Sequence, residues 1–207
     1  GTTGLGINVD KVKEALGDDA KLDSWDMLFN KETADKLADC GIFMLDAPTE
    51  TFPAAKNYLG IDPDAKDSES IEKAKEKLLE IRPDIRKFHS SEYINALANG
   101  DICMAMGWSG DVLQARDRAA EADAGVTVEY IIPKEGALMW FDNMAIPTDA
   151  PHVEEAHEFL NYIMKPEVMA KASNYVYYAN GNKASQEFLN EDVIGDTAIY
   201  PSEDTMG

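Results

Sequence analysis

The chain has 207 residues, and acidic side chains outnumber basic ones 39 to 19, for a net charge of −20 at neutral pH. A surface of that sign repels a phosphate backbone and excludes nucleic acid as a natural partner, and no stretch reaches the roughly 18 consecutive apolar residues that a membrane-spanning helix requires. The charge favours encounter with a cation, although a generally acidic surface accounts for it as well.

In chain order, Cys40 to Leu45 is a short apolar run ending in Asp46-Ala47-Pro48, a strand followed by a turn. Thr49 to Leu59 reads as a helix stopped by Gly60, with Pro53 near its first turn. Ser70 to Ile81 is amphipathic: Ile71, Ala74, Leu78 and Ile81 share one face, and Pro83 ends the helix. Ile85 to Phe88 is a short strand. Ser90 or Ser91 then caps a helix through Leu97, closed by Asn99-Gly100. Ile102 to Trp108 is a buried strand, and Ser109 caps a helix from Asp111 to Ala122. Gly125 opens a strand from Val126 to Ile132. This β-α-β-α rhythm predicts an α/β protein whose sheet is mainly parallel, with helices on both faces. A second region begins with Ala137 to Ile146, read as a strand that crosses out of the first lobe. Val153 to Met164 is a helix with Val153, Ala156, Leu160 and Ile163 inward, and Pro166 starts another that reaches Asn174. Tyr200 to Gly207 has no apolar face of its own.

Enzymatic signatures are poor. Gly107-Trp108-Ser109-Gly110-Asp111 approaches a nucleophile elbow, but that motif needs glycine where Asp111 stands. His152 and His157 are five apart, which does not stack two imidazoles on one helical face, and His89 is isolated from them. Gly4-Leu5-Gly6 lacks the third glycine of a dinucleotide loop, and no phosphate loop occurs. No metal or cofactor is implied. The expectation is a binding protein, not an enzyme.

What remains is a set of carboxylates and aromatic rings at or just past the C-terminal ends of strands, where ligands of open α/β sheets sit. Glu50 follows the Cys40 run, and Trp108 and Asp111 follow the next buried strand. Trp140, Phe141 and Asp142 interrupt the crossing strand, and Tyr177-Tyr178 follow the last helix. An ammonium group taken from water loses several kcal/mol unless it is paired, so each end of a diamine needs a carboxylate. A ring face beneath a cation contributes about 0.5–2 kcal/mol. Each residue also has a plain reading: Glu50 and Asp111 as partners of helix dipoles, Trp108 and Trp140 as core. Asp142 is harder to dismiss, because a charge inside an apolar strand needs a partner. Cys40 and Cys103 each flank an apolar run, and either a disulfide or two buried thiols fits that placement.

Several segments together resemble the putrescine/spermidine-type periplasmic binding proteins of bacterial ABC importers: Leu45-Asp46-Ala47-Pro48-Thr49-Glu50, Phe88-His89-Ser90-Ser91-Glu92-Tyr93-Ile94-Asn95, and Leu97-Ala98-Asn99-Gly100-Asp101-Ile102-Cys103. So do Gly107-Trp108-Ser109-Gly110-Asp111, Ile132-Pro133-Lys134-Glu135-Gly136-Ala137, Tyr177-Tyr178-Ala179-Asn180, and Gly1-Thr2-Thr3-Gly4. The resemblance implies a type II periplasmic binding-protein fold, with residues 5–133 as the ligand-closing α/β lobe and 134–207 as a crossing strand and part of the first lobe. It implies ligand contacts from Glu50, Trp108, Asp111, Trp140, Asp142 and Tyr178, and a disulfide between Cys40 and Cys103. Trp140 stands where the family often has phenylalanine, which keeps the flat face and changes pocket volume. It further implies a periplasmic polyamine receptor, putrescine first, that delivers ligand to a membrane permease. Agmatine or another organic cation, and a polyamine sensor subunit, are the alternatives. Because roughly the first hundred residues of the family and its last helices have no counterpart here, the expectation is a chain shortened at both ends, whose remaining half-cage binds weakly.

Overall fold

The structure, a computed structural model, describes residues 1–123, 125–202 and 205. The chain divides into two compact units, Thr2–Met139 and a second made of Gly1 with Trp140–Gly207. No helix among the described residues is long and apolar enough to cross a membrane.

The larger unit is built around its first strand, β1 (Thr2–Asn8), whose two faces differ in kind. Thr3, Leu5 and Ile7 are fully buried on one side, and by strand alternation Gly4 and Gly6 leave the other side bare. A Cβ on Gly6 would come within 2.8 Å of Val112 and 2.9 Å of Leu97, so the helices on that side rest directly on backbone. The elements that follow are α1 (Val9–Leu16), α2 (Asp26–Phe29), α3 (Lys31–Ala38), β2 (Ile42–Met44), α4 (Pro48–Tyr58) and α5 (Ser68–Ile81). Then come β3 (Ile85–Phe88), α6 (Glu92–Ala98), β4 (Met104–Trp108), α7 (Ser109–Glu121), β5 (Val128–Ile131) and β6 (Leu138–Met139). Helices α6 and α7 pack together over the glycine face of β1, and α1 to α5 cluster on the other. Leu5, Ile7, Leu28, Phe29, Ile42 and Met44 are each at most 1% exposed. Burying each such side chain contributes roughly 1.5–3 kcal/mol.

The sheet runs β3-β2-β4-β1-β5 among the described residues, and β6 also pairs with β1. β2 is parallel to both β3 and β4, as the alternating rhythm predicts. β1 departs from it, pairing antiparallel with β4, β5 and β6. β4 and β5, joined through α7, still point the same way, with β1 inserted between them. The handedness rule constrains crossovers between parallel strands, and β1 belongs to none of them, so the rule leaves its direction open.

Local corrections have local causes. α6 has Ser91 at its N-cap, but no serine side chain caps it; the Nδ1 of His89 accepts from the backbone nitrogens of Ser91 and Glu92, both at 3.1 Å. Ser109 does not cap α7 either. It is the first helical residue, and its Oγ accepts from the backbone nitrogen of Thr2 at 3.3 Å. On α5, Ala74 and Ile81 are fully buried, whereas Ile71 is 41% exposed, because it lies one turn before the contact begins. The disulfide forms: Cys40 and Cys103 are bonded, with Cα atoms 5.5 Å apart. It ties the turn before β2 to the start of β4, two neighbouring parallel strands.

The smaller unit contains α8 (Val153–Ile163), α9 (Pro166–Val176), a 3-10 segment Lys183–Phe188 and α10 (Glu191–Ile194). Its core is small: Ala170, Val193 and Ile199 are the buried apolar residues described there, with Ser173 and Ser185 beside them. Asparagines stitch it together. Asn180 donates to Ser173 Oγ at 2.8 Å and accepts from Ser185 Oγ at 3.0 Å, and Asn174 Oδ1 accepts from the Asn190 nitrogen at 3.0 Å. On α8 no residue is buried; Ala156, Leu160 and Ile163 are half-buried, and Val153, expected inward, is 41% exposed. The strand expected over 137–146 is present only at Leu138–Met139. Beyond it no ladder partner is described that would satisfy the backbone of 141–147, so an apolar run by itself does not make a strand. Of the closing segment, residues 203, 204, 206 and 207 lie outside the described residues.

Candidate functional site

In the larger unit, three of the expected residues lie along one end of the sheet. β2 and β4 are parallel, so their C-terminal ends coincide, and antiparallel β1 brings its N-terminal end to the same edge. The register pairs Thr3 with Trp108. Glu50 sits in the first turn of α4, just past β2, and Asp111 sits in the first turn of α7, just past β4. All three expected residues are half-buried. Helix N-termini favour negative charge, so both carboxylates remain comfortable at the edge in the absence of a ligand.

Hydroxyl groups hold these carboxylates in place. Thr3, fully buried, donates from Oγ1 to Glu50 Oε2 at 2.5 Å. Tyr93, fully buried on α6, donates from its phenol to Asp111 Oδ2 at 2.8 Å and accepts from the Trp108 nitrogen at 3.1 Å. Thr2 and Tyr130 share a hydrogen bond of 2.8 Å. Burial pushes the Tyr130 phenol well above its ordinary pKa; the bond to Thr2 opposes that shift and the charge of Glu50 adds to it. A carboxylate offers about four lone-pair sites, so a hydroxyl donor helps to fix its orientation without using its full acceptor capacity.

In the smaller unit, Trp140 and Tyr178 come together, with ring centroids 5.5 Å apart and planes inclined by 53°. Both press on Gly1, where a Cβ would stand 2.5 Å from the indole and 3.0 Å from the phenol ring. Backbone bonds of 3.0 Å in each direction join Gly1 to Trp140. Asp142 is exposed and lies outside any strand, so, contrary to expectation, it is not a charge trapped in an apolar strand. Phe141 beside it is 73% exposed. Thr3, Tyr93 and Tyr130 were not singled out from the sequence, because a threonine near the chain start and a tyrosine on a helix read as ordinary core. The available signal was glycine inside strands, at Gly4 and Gly107, where a ring could lie on the backbone.

The family model for bacterial extracellular solute-binding protein matches residues 1–201. The chain belongs to that family. The family is described as one of solute-binding proteins. It is 52% identical over 204 residues to the putrescine-binding periplasmic protein PotF of Escherichia coli (strain K12), covering 98% of this chain and 55% of that protein. It is 41% identical over 206 residues to a putrescine/agmatine-binding protein of Pseudomonas aeruginosa, covering 100% of this chain and 56% of that one. Among solved structures, the spermidine/putrescine ABC transporter substrate-binding protein PotD from Streptococcus pneumoniae superposes with a TM-score of 0.78 at 27% identity, covering 100% of this chain and 58% of that one. The chain thus spans a little over half the length of the relatives it matches. Its fold is theirs, an open α/β lobe with part of a second.

Proposed function

We propose that this chain is the ligand-closing part of a periplasmic receptor for polyamines, putrescine first, that hands its ligand to a membrane ABC permease. Glu50, Asp111 and Asp142 hold the ammonium ends, and Trp108, Trp140 and Tyr178 lie along the alkyl chain. The observation that carries this reading is the edge of the larger unit. Two carboxylates are held there by buried hydroxyls, at the end of the sheet where Thr3 pairs with Trp108. Preset acceptors of that kind compensate an ammonium group for lost water at little ordering cost. The names of the relatives support the same ligand class. The relative that takes agmatine favours a second reading, in which a guanidinium replaces one ammonium, since carboxylates accept either.

Calorimetric titration of the full-length protein tests both readings. Putrescine is expected to bind more tightly than spermidine, with amino acids and anions giving no heat. A preference for agmatine moves the assignment to the second reading, and a preference for an amino acid or an anion ends it.

A further inference from the structure

In the segment Gly107-Trp108-Ser109-Gly110-Asp111, the indole, the hydroxyl and the carboxylate each have a place in the site, but the first glycine does not. Gly107 lies inside β4, where glycine weakens a strand unless something must approach its backbone closely. A Cβ at this position would stand 2.6 Å from Cε2 of Tyr93. The Tyr93 ring, fully buried, therefore lies against the bare backbone of β4, and its hydroxyl reaches past Gly107 to the end of the strand. There it accepts from the Trp108 nitrogen at 3.1 Å and donates to Asp111 Oδ2 at 2.8 Å.

We propose that Tyr93 is a positioning residue for ligand binding, that its hydroxyl sets the Asp111 carboxylate and the Trp108 backbone in binding geometry, and that Gly107 is the notch that admits its ring. The proposal deepens the receptor reading and rests on it, since Asp111 matters to function only if it takes a cation. A hydrogen bond to an ionised carboxylate is short and directional, so it selects one rotamer of Asp111. The same oxygen accepts from Trp108, which couples the strand that carries the indole to the helix that carries the charge.

The test uses Tyr93→Phe, which keeps the ring that fills the notch, in the full-length protein. Putrescine affinity is expected to fall about tenfold. In an Asp111→Asn background the same change is expected to cost about threefold, because the charge is gone and only the bond to the Trp108 nitrogen still counts. An equal loss in both backgrounds would mean that Tyr93 does not act through Asp111, and would overturn the proposal. A ligand-free arm reads the Asp111 side-chain carboxyl carbon and the Trp108 amide proton by NMR at constant pH. Both resonances are expected to move in Tyr93→Phe, and their staying in place overturns the proposal. Should the wild-type protein take up no diamine, the receptor reading falls, and the ligand-free arm still decides whether the Tyr93 hydroxyl sets the Asp111 carboxylate and the Trp108 backbone.

Discussion

The two units of this chain place their candidate ligand residues by different means. In the larger unit each side chain is fixed by a group that is itself buried: Thr3 holds Glu50, and Tyr93 holds both Asp111 and the backbone of Trp108. In the smaller unit Trp140 and Tyr178 are fixed by ring contact over a glycine, and Asp142 stands exposed. The difference follows from the size of the cores. A sheet covered on two faces supplies many fully buried anchors. A few helices joined by asparagine bonds supply few. Precision at a site is thus inherited from the packing beneath it.

If that contrast is right, it can be broken in order of effect size. Ile7→Ala, at the fully buried centre of the sheet, is expected to cost about 4 kcal/mol in chemical denaturation, and Leu160→Ala on the half-buried α8 about 1 kcal/mol. Equal losses would show that the smaller unit is as firmly packed as the larger. Replacing Cys40 and Cys103 with serine opens a link between positions 63 apart, and should cost about 3–4 kcal/mol. The midpoint of denaturation of Thr2–Met139 should fall, and an unchanged midpoint would remove the bridge from the larger unit's stability. For ligand, Asp111→Asn is expected to weaken putrescine binding about a hundredfold and Asp142→Asn about tenfold, since a half-buried, oriented carboxylate is worth more than a solvated one. Calorimetry that ranked them the other way would reverse the comparison.

The smallest effect is alkaline. Burial raises the Tyr130 phenol in the folded chain, so the native state keeps a proton that the unfolded chain releases above about pH 10. Stability is therefore undiminished by this group below that pH and declines above it, by roughly 1 kcal/mol over the first pH unit. Thermal melts of Tyr130→Phe should show a flatter alkaline limb than the wild type. Identical limbs would assign the decline to other groups.

Several parts of the site were legible in the sequence. Apolar runs ending in turns located β2 and β4, and that put Glu50 and Asp111 just past strand ends and Trp108 at one. Others were not. The run from Ala137 to Ile146 has the composition of a strand, but no ladder partner is described for most of it, and Asp142 lies in the open as a result. β1 was unreadable for the opposite reason: two of its seven residues are glycines, which lower strand propensity, and only the Tyr130 ring against Gly4 and the helices resting on Gly6 make those glycines favourable.

By itself, then, the amino-acid order determined the segments of β2 to β5 and α4 to α9, the excess of negative charge, and the motifs that tie the chain to solute-binding proteins. These depend on neighbours a few residues apart or on sums over the whole chain. Only the tertiary structure decided that β1 runs against β4, that Thr3 meets Glu50 across 47 positions, and that Tyr93 reaches Asp111 through the space left by Gly107. The physical reason is that hydrogen bonds and close packing between distant residues depend on how elements stack, and no local pattern encodes a partner that lies on another strand or helix.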